Sequence, residues 1–512
     1  MNIIVCFYVC ISSMTPTIFI ILGITGDLSG RKLLPSLLNL YVKKHLPPKF
    51  AIVGFSRRTF TREEFREYIR GHMKVEPGQY HEEDIKHFLD HMYYEQGFFD
   101  MPDSYGNLAS RLKTIDDGFH QCSNKLFHLA VAPHFYETIL EHLSNSGLTI
   151  PCGGNEGWTR VLVEKPFGHN IETATKLDKR LGELFSEEQI FRIDHYLAKE
   201  ALQNIMAFRF TNTLFEPLWN SNHVSAVHIK LLERNGIEGR GGFYDDIGAL
   251  KDVGQNHILQ MLALVAMEPP ENFDAISIRK QRAKLLGNIK PVISKGLADI
   301  LVRGQYEGYV NEKGVKRNSR TETYFRVETY IDCPRWKGVP FYLESGKALS
   351  ESKSEIDIYF KSGETFKSKL KNRIGDKYNI ETKSENGNDS GKLIRDEDNK
   401  KNDEEIEHDL QNILTFRIQP NEGIKIRFFV KTPGFGMKVE PKTLKFKYSD
   451  SPSFQELPDA YERVLYDAIV GDQTLFTSTD EVLRAWKFIT SIVTAWDSLP
   501  LVIYKKGSES VV

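Results

Sequence analysis

The chain of 512 residues exceeds what one hydrophobic core usually supports, so we expect at least two domains. Hydrophobic residues make up 40% and charged residues 27% of the chain, proportions that are ordinary for a globular protein. The 67 basic and 69 acidic side chains give a net charge of −2, which excludes a global basic field and argues against nucleic acid as the main partner.

The cysteines and the first residues give no strong indication of export or of membrane attachment. Five cysteines in so long a chain do not indicate a disulfide framework, and their spacing predicts no metal site, so we expect reduced thiols and a cytoplasmic location. The apolar run 3–11 is shorter than the roughly 20 residues that span a bilayer, and no basic residue precedes it. We therefore expect no membrane partner and interpret the residues before Met14 as an extension.

A strand, a glycine turn and a helix are predicted at the start of the first domain. The strand is the apolar run Thr17–Leu22, and leucines at helical spacing follow from Leu33 onward. Such a turn lets the backbone approach a pyrophosphate at the helix N-terminus. The candidate coenzyme contacts are Gly23, Ile24, Thr25, Gly26, Asp27 and Leu28. The glycine spacing is Gly-x-x-Gly rather than the commoner fingerprint, so an ordinary strand–helix turn remains an alternative.

The second predicted strand, Phe50–Val53, indicates which nicotinamide coenzyme would bind. An NAD site usually has Asp or Glu beyond this strand to bind the ribose 2′-hydroxyl. Here Ser56, Arg57 and Arg58 follow instead, and their donors and charges suit a 2′-phosphate. The sequence thus favours NADP with Arg57 as a contact, although paired arginines can also be a plain solvent-exposed surface.

Strands and helices alternate through the rest of the first half, which predicts a doubly wound parallel sheet. Ligands of such sheets bind beyond the carboxyl ends of the strands, where Tyr136 and Lys165 are expected. We place this domain at residues 15–194. The further predicted strands are Leu126–Val131, Arg160–Val163 and Gln189–Phe191, and the predicted helices include Arg62–His72, Glu82–Met92 and Ile171–Phe185.

A dense group of polar side chains ends the first half, in the run from Arg192 to Glu200. His195, Tyr196 and Lys199 all donate hydrogen bonds and together suit a phosphate dianion. Asp194 should stay ionised among these cations, so it can orient and polarise a histidine elsewhere in the chain. The alternative is a solvated helix start with Asp194 as its N-cap.

The second half offers that histidine on a predicted helix, about residues 246–267. His257 falls on an apolar face at three- and four-residue spacing, together with Leu250, Val253, Gly254 and Met261. A histidine in this position is more often part of the core, bonded to a backbone carbonyl. The polar neighbours Asp252 and Asn256, and the available Asp194, favour a functional role instead.

The remaining chain is predicted to complete a second domain at residues 195–512. Strands are expected at 224–232, 321–333, 341–343, 355–360 and 412–418, the last four in one antiparallel sheet. Residues 367–409 are rich in Lys, Asp, Glu and Asn and read as a solvated, partly disordered insertion. We expect helices over 459–495 and a frayed segment at 505–512.

Taken together, these motifs resemble the glucose-6-phosphate dehydrogenase family over nearly the whole chain. Any one of them is modest evidence, but the full set in this order is highly specific. The matching motifs are Gly-x-x-Gly-Asp-Leu (23–28), Glu-Lys-Pro-Phe-Gly (164–168), Arg-Ile-Asp-His-Tyr-Leu (192–197), Glu-Gly-Arg-Gly-Gly (238–242), Asp-Val-x-Gln-Asn-His (252–257), Gln-Pro-Asn-Glu (419–422) and Pro-Asp-Ala-Tyr-Glu-Arg (458–463).

The resemblance implies a Rossmann domain joined to a larger β+α domain with a mostly antiparallel sheet, through which subunits pair as a homodimer or homotetramer. It implies oxidation of glucose 6-phosphate to 6-phosphogluconolactone with NADP, the first step of the oxidative pentose phosphate pathway. His257 matches the catalytic base and Asp194 its carboxylate partner. The implied sugar-phosphate contacts are His195, Tyr196 and Lys199; the implied sugar contacts are Lys165, Glu233, Asp252, Lys347 and Gln419; and the implied coenzyme contacts are residues 23–30, Arg57, Tyr136 and Lys165.

Three departures from the family pattern bear on these roles. Ala198 replaces a glycine, and Ser352 stands where a cation often assists substrate binding, with Lys353 next to it. Some relatives also bind a second, structural NADP, for which Arg417, Arg427 and Lys353 are candidates, but Asp357 lies where a cation would help.

Two other functions remain alternatives at this point. One is a different sugar or polyol oxidoreductase with the same plan, which would have no use for a phosphate pocket at His195, Tyr196 and Lys199. The other is a catalytically silent NADP-binding protein, which would not need to keep His257 and Asp194.

Overall fold

The computed structural model describes residues 15–152, 157–291, 300–362, 411–435, 439–450, 457–496 and 499–511. These residues form two compact units. The first consists of the described parts of 1–203, 255–287 and 456–494, and the second of those of 204–254, 288–455 and 495–512. The predicted insertion at 367–409 lies outside the described residues, and the predicted domain boundary after residue 194 remains a prediction.

A seven-stranded sheet lies at the centre of the first unit. Strands β1 and β2 are buried along their whole length, which explains why both read as nearly continuous apolar runs. Six strands are parallel and the last is antiparallel at one edge. They are β1 (Thr17–Leu22), β2 (Phe50–Ser56), β3 (Met92–Gln96), β4 (Asn124–Leu129), β5 (Thr159–Val163), β6 (Ile190–Ile193) and β15 (Phe476–Thr477).

The strand order across this sheet is β3-β2-β1-β4-β5-β6, followed by β15. This is the order of a dinucleotide-binding Rossmann sheet, whose direction of winding reverses between β1 and β4. Gly23 follows β1 at this point with φ of 88°, and a Cβ there would lie 2.4 Å from the carbonyl oxygen of Ala130. Only glycine therefore fits the turn, and the predicted fold class is confirmed for this half of the chain.

Helices connect the strands and follow the sheet in the chain. The α-helices are α1 (Leu34–Val42), α2 (Arg62–His72), α3 (Glu82–Asp90), α4 (Pro102–Phe119), α5 (Tyr136–Asn145), α6 (Ile171–Leu184), α7 (Glu200–Thr211), α8 (Gly241–Tyr244), α9 (Leu259–Ala266), α10 (Ala275–Gly287), α11 (Ala460–Val470) and α12 (Thr479–Trp496). Helix α2 begins with a capping box at Thr61 and Glu64, which explains why its start could be read from the sequence.

A nine-stranded sheet organises the second unit. Across it the order is β14-β13-β12-β11-β7-β10-β9-β8-β16, and in the described chain only the pairs β7–β10 and β8–β16 are parallel. The mostly antiparallel sheet expected for the second half is therefore confirmed. Its strands are β7 (Val224–Leu232), β8 (Leu301–Tyr306), β9 (Tyr324–Thr329), β10 (Phe341–Gly346), β11 (Lys353–Phe360), β12 (Ile413–Gln419), β13 (Gly423–Lys431), β14 (Val439–Lys447) and β16 (Leu501–Tyr504).

The predicted helix at residues 246–267 has a different geometry from the one expected. Residues Leu250–Ile258 form a π-helix, and the α-helical part starts only at Leu259. A π-helix has a wider turn than the 3.6 residues that we assumed, so the predicted face shared at three- and four-residue spacing does not apply there. Such wide turns are frequent at functional sites, and this one contains Asp252 and His257.

Two further expectations are wrong. Residues 505–511 are ordered rather than frayed: Gly507 N–H donates to the carbonyl of Ala348, and Ser350 N–H donates to the carbonyl of Ser508. Cys122 and Cys152 form a disulfide across 30 residues, so the expectation of reduced thiols fails for this pair.

Within the described residues, no helix combines the length and the apolar character that crossing a membrane requires.

Candidate active site

Asp194 and His257 meet in the first unit. Asp194 is the first residue after β6, and its Oδ1 lies 2.5 Å from Nδ1 of His257. Both side chains are buried, with 1% and 3% of their surface exposed. The carboxylate also accepts a hydrogen bond from the Tyr196 backbone N–H at 3.0 Å. This geometry directs the Nδ1 proton toward Asp194 and leaves the lone pair of the ring on Nε2.

Asp194 is ionised at neutral pH. Burial alone would raise its pKa, but the neighbouring His257, His195 and Lys165 outweigh burial and lower the pKa to about 2. A buried carboxylate that stays charged can hold one imidazole tautomer and stabilise the imidazolium form. The pair therefore has the two properties that a general base needs, a fixed orientation and a compensating charge.

Lys165 approaches the other side of the imidazole. It follows β5 by two residues, and its Nζ lies 2.8 Å from Nε2 of His257. Because Nε2 carries the lone pair, the ammonium donates this hydrogen bond. His257 thus lies between a carboxylate and an ammonium, both positioned by the carboxyl ends of neighbouring parallel strands.

His195, Tyr196 and Lys199 lie in the same group of side chains. The Tyr196 ring stacks on His257 with centroids 4.1 Å apart, and the His195 ring packs edge-on against it at 4.8 Å. Lys199 Nζ lies 5.2 Å from the centroid of Tyr196. The structure thus brings together the three predicted phosphate-binding side chains and the predicted catalytic pair.

The burial of this run argues against a solvated helix start. Asp194, Tyr196, Leu197 and Ala198 are all buried, and the helix begins only at Glu200. Arg192 points elsewhere and pairs with Asp178 and Glu187, so its role is structural.

Burial also controls the charge of His195. Burial, together with the nearby His257, Lys165 and Lys199, lowers the pKa of His195 well below the ordinary value of 6.5, although Asp194 opposes this. The imidazole is therefore neutral at pH 7 in the ligand-free protein, and it can bind an anion as a hydrogen-bond donor.

The predicted coenzyme turn adopts a compact geometry after β1. Gly26 N–H donates to the Gly23 carbonyl at 2.9 Å, and the chain is helical from Asp27 onward. Ile24 is fully buried, while Asp27 is exposed and pairs with Arg31 at 2.7 Å. A side chain that sequence reasoning missed, His72, lies 2.9 Å from the Gly26 carbonyl oxygen through its Nε2.

Arg57 and Arg58 are exposed at the end of β2, where a 2′-phosphate of NADP would bind. Sequence reasoning also missed the residue that holds this turn, Tyr94. Its hydroxyl lies 2.8 Å from the Ser56 carbonyl oxygen and 2.9 Å from Ser56 Oγ, and it bonds the Arg58 carbonyl. The donor set therefore fits NADP: a glycine turn, two cations and no acid at the ribose position.

Tyr136, a predicted coenzyme contact, is buried, and its hydroxyl donates to the Glu164 carbonyl at 3.0 Å. Glu164 and His128 extend this group, with carboxylate and imidazole 3.4 Å apart at the carboxyl ends of β5 and β4. Tyr461 of α11 stacks on His195 at 6.3 Å. No sequence pattern marked His128 or Tyr461 as near this site.

In the second unit, Glu233 and Lys347 follow the ends of β7 and β10. These strands are parallel neighbours, with Leu232 opposite Gly346, which places the next residues side by side. Lys347 is 3% exposed at its side chain and forms an ion pair with Glu233. The two predicted sugar contacts are therefore neighbours for a topological reason.

Tyr244 links these residues to Asp252. Lys347 Nζ lies 5.5 Å from its ring centroid, and burial together with the charges of Asp252, Glu322 and Glu233 raises the Tyr244 pKa. Its buried hydroxyl has no hydrogen-bond partner among the described residues. The last predicted contact, Gln419, ends β12 opposite Ser354.

The departures from the family pattern take structural roles. Ser352 Oγ accepts from the Arg234 N–H at 2.8 Å. Lys353 pairs with Glu351 and Glu355, and Arg417 also pairs with Glu355. Because acids already bind two of the three candidate cations, this region does not favour a second coenzyme.

The Rossmann sheet with its glycine turn, and the Asp–His pair beyond its strands, define a nicotinamide-dependent oxidoreductase. Two family models match the chain: "Glucose-6-phosphate dehydrogenase, NAD binding domain" over residues 20–204, and "Glucose-6-phosphate dehydrogenase, C-terminal domain" over 206–385 and 393–511. The chain belongs to the glucose-6-phosphate dehydrogenase family, which confirms the family predicted from the motifs.

Relatives match over nearly their full length. The glucose-6-phosphate 1-dehydrogenase of Chlamydia pneumoniae is 38% identical, over 94% of this chain and 90% of its own. That of Bacillus subtilis is 35% identical, over 94% and 91%. A solved glucose-6-phosphate dehydrogenase in complex with its substrate glucose-6-phosphate superposes with a TM-score of 0.82 at 32% identity, covering 96% of this chain and 95% of its own.

Proposed function

We infer that this protein oxidises glucose 6-phosphate to 6-phosphoglucono-1,5-lactone and transfers the hydride to NADP⁺, the first step of the oxidative pentose phosphate pathway. The observation that carries this inference is the buried Asp194–His257 pair, grouped with His195, Tyr196 and Lys199. A base next to donors suited to a phosphate is what oxidation of a sugar phosphate requires.

His257 acts as the general base. Its Nε2 accepts the proton of the C1 hydroxyl while the C1–H bond breaks, so that the carbonyl of the lactone forms. NADP⁺, when bound, accepts the hydride. Asp194 holds the Nδ1–H tautomer and stabilises the imidazolium that results. In this proposal the substrate hydroxyl replaces Lys165 at Nε2, and the displaced ammonium then binds a sugar oxygen and a coenzyme oxygen.

The sugar phosphate binds to His195, Tyr196 and Lys199, each of which offers a donor to the phosphate oxygens. Lys165, Glu233, Asp252, Lys347 and Gln419 bind the sugar hydroxyls. Lys199→Ala should chiefly raise the KM for glucose 6-phosphate, because a phosphate contact exists in the ground and transition states alike. An unchanged KM would make Lys199 a surface cation.

The coenzyme binds at the turn after β1 through Gly23, Ile24, Thr25, Gly26, Asp27 and Leu28, with Tyr136 and Lys165 as further contacts. Arg57 binds the 2′-phosphate, which distinguishes NADP from NAD. The exposure of this arginine beyond β2 and the acid-free turn support that choice.

A direct assay tests the function. The purified protein is mixed with glucose 6-phosphate or glucose, and with NADP⁺ or NAD⁺, and the absorbance of the reduced nicotinamide is followed. We expect the fastest reduction with glucose 6-phosphate and NADP⁺. No reduction with either coenzyme would favour the silent binding protein, and reduction with glucose alone would favour the rival sugar oxidoreductase.

We also propose that subunits pair through the large sheet, as a homodimer or homotetramer, in the cytoplasm. Edge strand β14 supports the pairing, because Leu444 and Phe446 on it are 61% and 48% exposed. Leu444→Glu/Phe446→Glu should give a smaller species by light scattering than the wild type. Exposed Leu214→Glu on a different surface is the control and should leave the mass unchanged.

A further inference from the structure

The backbone of residues 346–350, here called the lysine loop, is held by hydrogen bonds on both sides of Lys347. Lys347 N–H donates to the Thr323 carbonyl at 2.9 Å. Its own carbonyl accepts a hydrogen bond from the Tyr504 hydroxyl at 2.6 Å. Tyr504 is the last residue of β16, more than 150 residues further along the chain, and only 5% of its surface is exposed.

The Tyr504 hydroxyl is itself oriented by a buried threonine. Thr323 Oγ1 lies 2.8 Å from this hydroxyl and also accepts the Tyr306 N–H at 2.9 Å. Since the Tyr504 proton points to the Lys347 carbonyl, Thr323 donates to the Tyr504 oxygen. A chain of two hydroxyls therefore ends on the peptide group that carries Lys347.

The residue after the lysine adopts an uncommon conformation that needs support. Ala348 has φ of 56°, in the left-handed region that non-glycine residues seldom adopt. Its N–H donates to the Asn235 carbonyl at 2.9 Å, and its carbonyl accepts from Gly507 N–H at 2.8 Å. Such strained conformations persist only where the surroundings hold them, and they cluster at ligand sites.

The 504–508 segment thus contacts the lysine loop repeatedly. The Ser508 carbonyl accepts from Ser350 N–H at 3.0 Å, in addition to the Tyr504 and Gly507 contacts. On its other side the loop contacts the Glu233 turn, where Leu349 N–H donates to the Glu233 carbonyl at 3.0 Å. This arrangement fixes the position of the Lys347 ammonium relative to Glu233.

From this geometry we propose that Tyr504 is a positioning residue for substrate binding, acting through the lysine loop on Lys347. It does not contact the sugar; it sets where the ammonium lies before the sugar binds. The inference rests on the proposed role of Lys347 as a sugar contact. It assigns a functional role to a segment whose Lys, Gly and Ser content suggested a frayed end.

The decisive variant is Tyr504→Phe, which keeps the ring and removes the hydroxyl. We expect the KM for glucose 6-phosphate to rise about three- to tenfold, the effect of losing one net hydrogen bond, with the KM for NADP⁺ unchanged. Tyr309→Phe is the matched control, because it removes a hydroxyl of the same aromatic cluster that bonds Asp245 at 3.0 Å. It should lower the melting temperature similarly and leave both KM values unchanged.

A double-mutant cycle separates this inference from the role of Lys347. Lys347→Ala alone should raise the KM for glucose 6-phosphate, and adding Tyr504→Phe to it should raise the KM no further. If Lys347→Ala raises the KM but Tyr504→Phe does not, the positioning role is wrong and the sugar contact stands. If Lys347→Ala has a wild-type KM, both roles are wrong, although glucose 6-phosphate oxidation by the wild type still stands.

Thr323→Val provides a second route should Tyr504→Phe not fold. It removes the hydroxyl that orients Tyr504 and keeps the shape of the side chain. A raised KM for glucose 6-phosphate that disappears in the Lys347→Ala background supports the proposal, and a KM equal to that of the wild type overturns it.

Discussion

Asp194 Oδ1 lies 2.5 Å from Nδ1 of His257, although 63 residues separate the two in the chain. The carboxylate comes directly after a strand of the parallel sheet, and the histidine comes from a π-helix that follows in the sequence. The strand end fixes the acid, and the acid fixes the imidazole tautomer. The proposed chemistry depends on this contact, because it leaves Nε2 as the proton acceptor.

Removing the base should slow turnover while leaving binding nearly intact. We expect His257→Asn to lower kcat about 10²- to 10⁴-fold with a small change in KM, the usual contribution of a general base. His91→Asn is the control: it removes another partly buried histidine, which bonds the Phe50 carbonyl at 3.2 Å, and should keep the wild-type kcat. Steady-state kinetics measure both, and wild-type kcat in His257→Asn would contradict the assignment.

The sequence predicted this pair because each partner carries a local signal. Asp194 lies among cations after a strand, and His257 lies with Asp252 and Asn256 on an otherwise apolar helix. Local patterns also placed β1, β7 and α2 correctly, since burial on both faces, alternation and a capping box each mark an element by itself.

The remaining features depend on contacts that no local pattern encodes. The π-helix breaks the 3.6-residue period from which the face of His257 was predicted. The Cys122–Cys152 disulfide and the Tyr504–Lys347 hydrogen bond join distant segments. The 505–511 segment is ordered through backbone hydrogen bonds, which its polar composition cannot reveal.

Binding of glucose 6-phosphate should be coupled to proton uptake by His195. Burial lowers the pKa of the free imidazole well below 6.5, so it is neutral at pH 7 to 8. A bound phosphate dianion favours the protonated form and raises that pKa, so protons are taken up and affinity increases as the pH falls. Calorimetry at pH 8, where the sugar phosphate is already dianionic, should give binding heats that vary with the ionisation enthalpy of the buffer.

The His195→Asn variant provides the comparison for this measurement. It should bind more weakly, and its binding heat should be the same in every buffer. Buffer-independent heats in the wild type would show that His195 binds the phosphate without changing its protonation.

Tyr94 should contribute to the preference for NADP. Its hydroxyl bonds the backbone of Ser56 and Arg58, which flank Arg57. We expect Tyr94→Phe to raise the KM for NADP⁺ about three- to tenfold and to leave the KM for NAD⁺ unchanged, because only NADP⁺ has the 2′-phosphate. Tyr93→Phe, on the opposite face of β3, is the control. An equal rise for both coenzymes would mean that Tyr94 supports the fold alone.

A buried carboxyl, Glu322, should make the stability of the protein fall as the pH rises. Burial raises its pKa from 4.5 to about 7, although hydrogen bonds from Leu250 N–H and its own N–H, and the charges of Arg303 and Lys251, oppose the shift. Between these two values the folded protein keeps a proton that the unfolded chain releases. The free energy of unfolding should therefore decrease through this range, by about 3 kcal/mol in all, and level off above it.

Glu322→Gln should remove that dependence, because glutamine keeps the acceptor for the Leu250 N–H, 3.0 Å from Glu322 Oε1, and carries no charge. Urea unfolding at several pH values between 5 and 8 should show the variant gaining on the wild type as the pH increases. Glu481→Gln provides the contrast: it leaves the buried Arg282, 2.8 Å away, without its charged partner and should destabilise the protein throughout. Parallel curves for wild type and Glu322→Gln would mean that Glu322 stays ionised over this range.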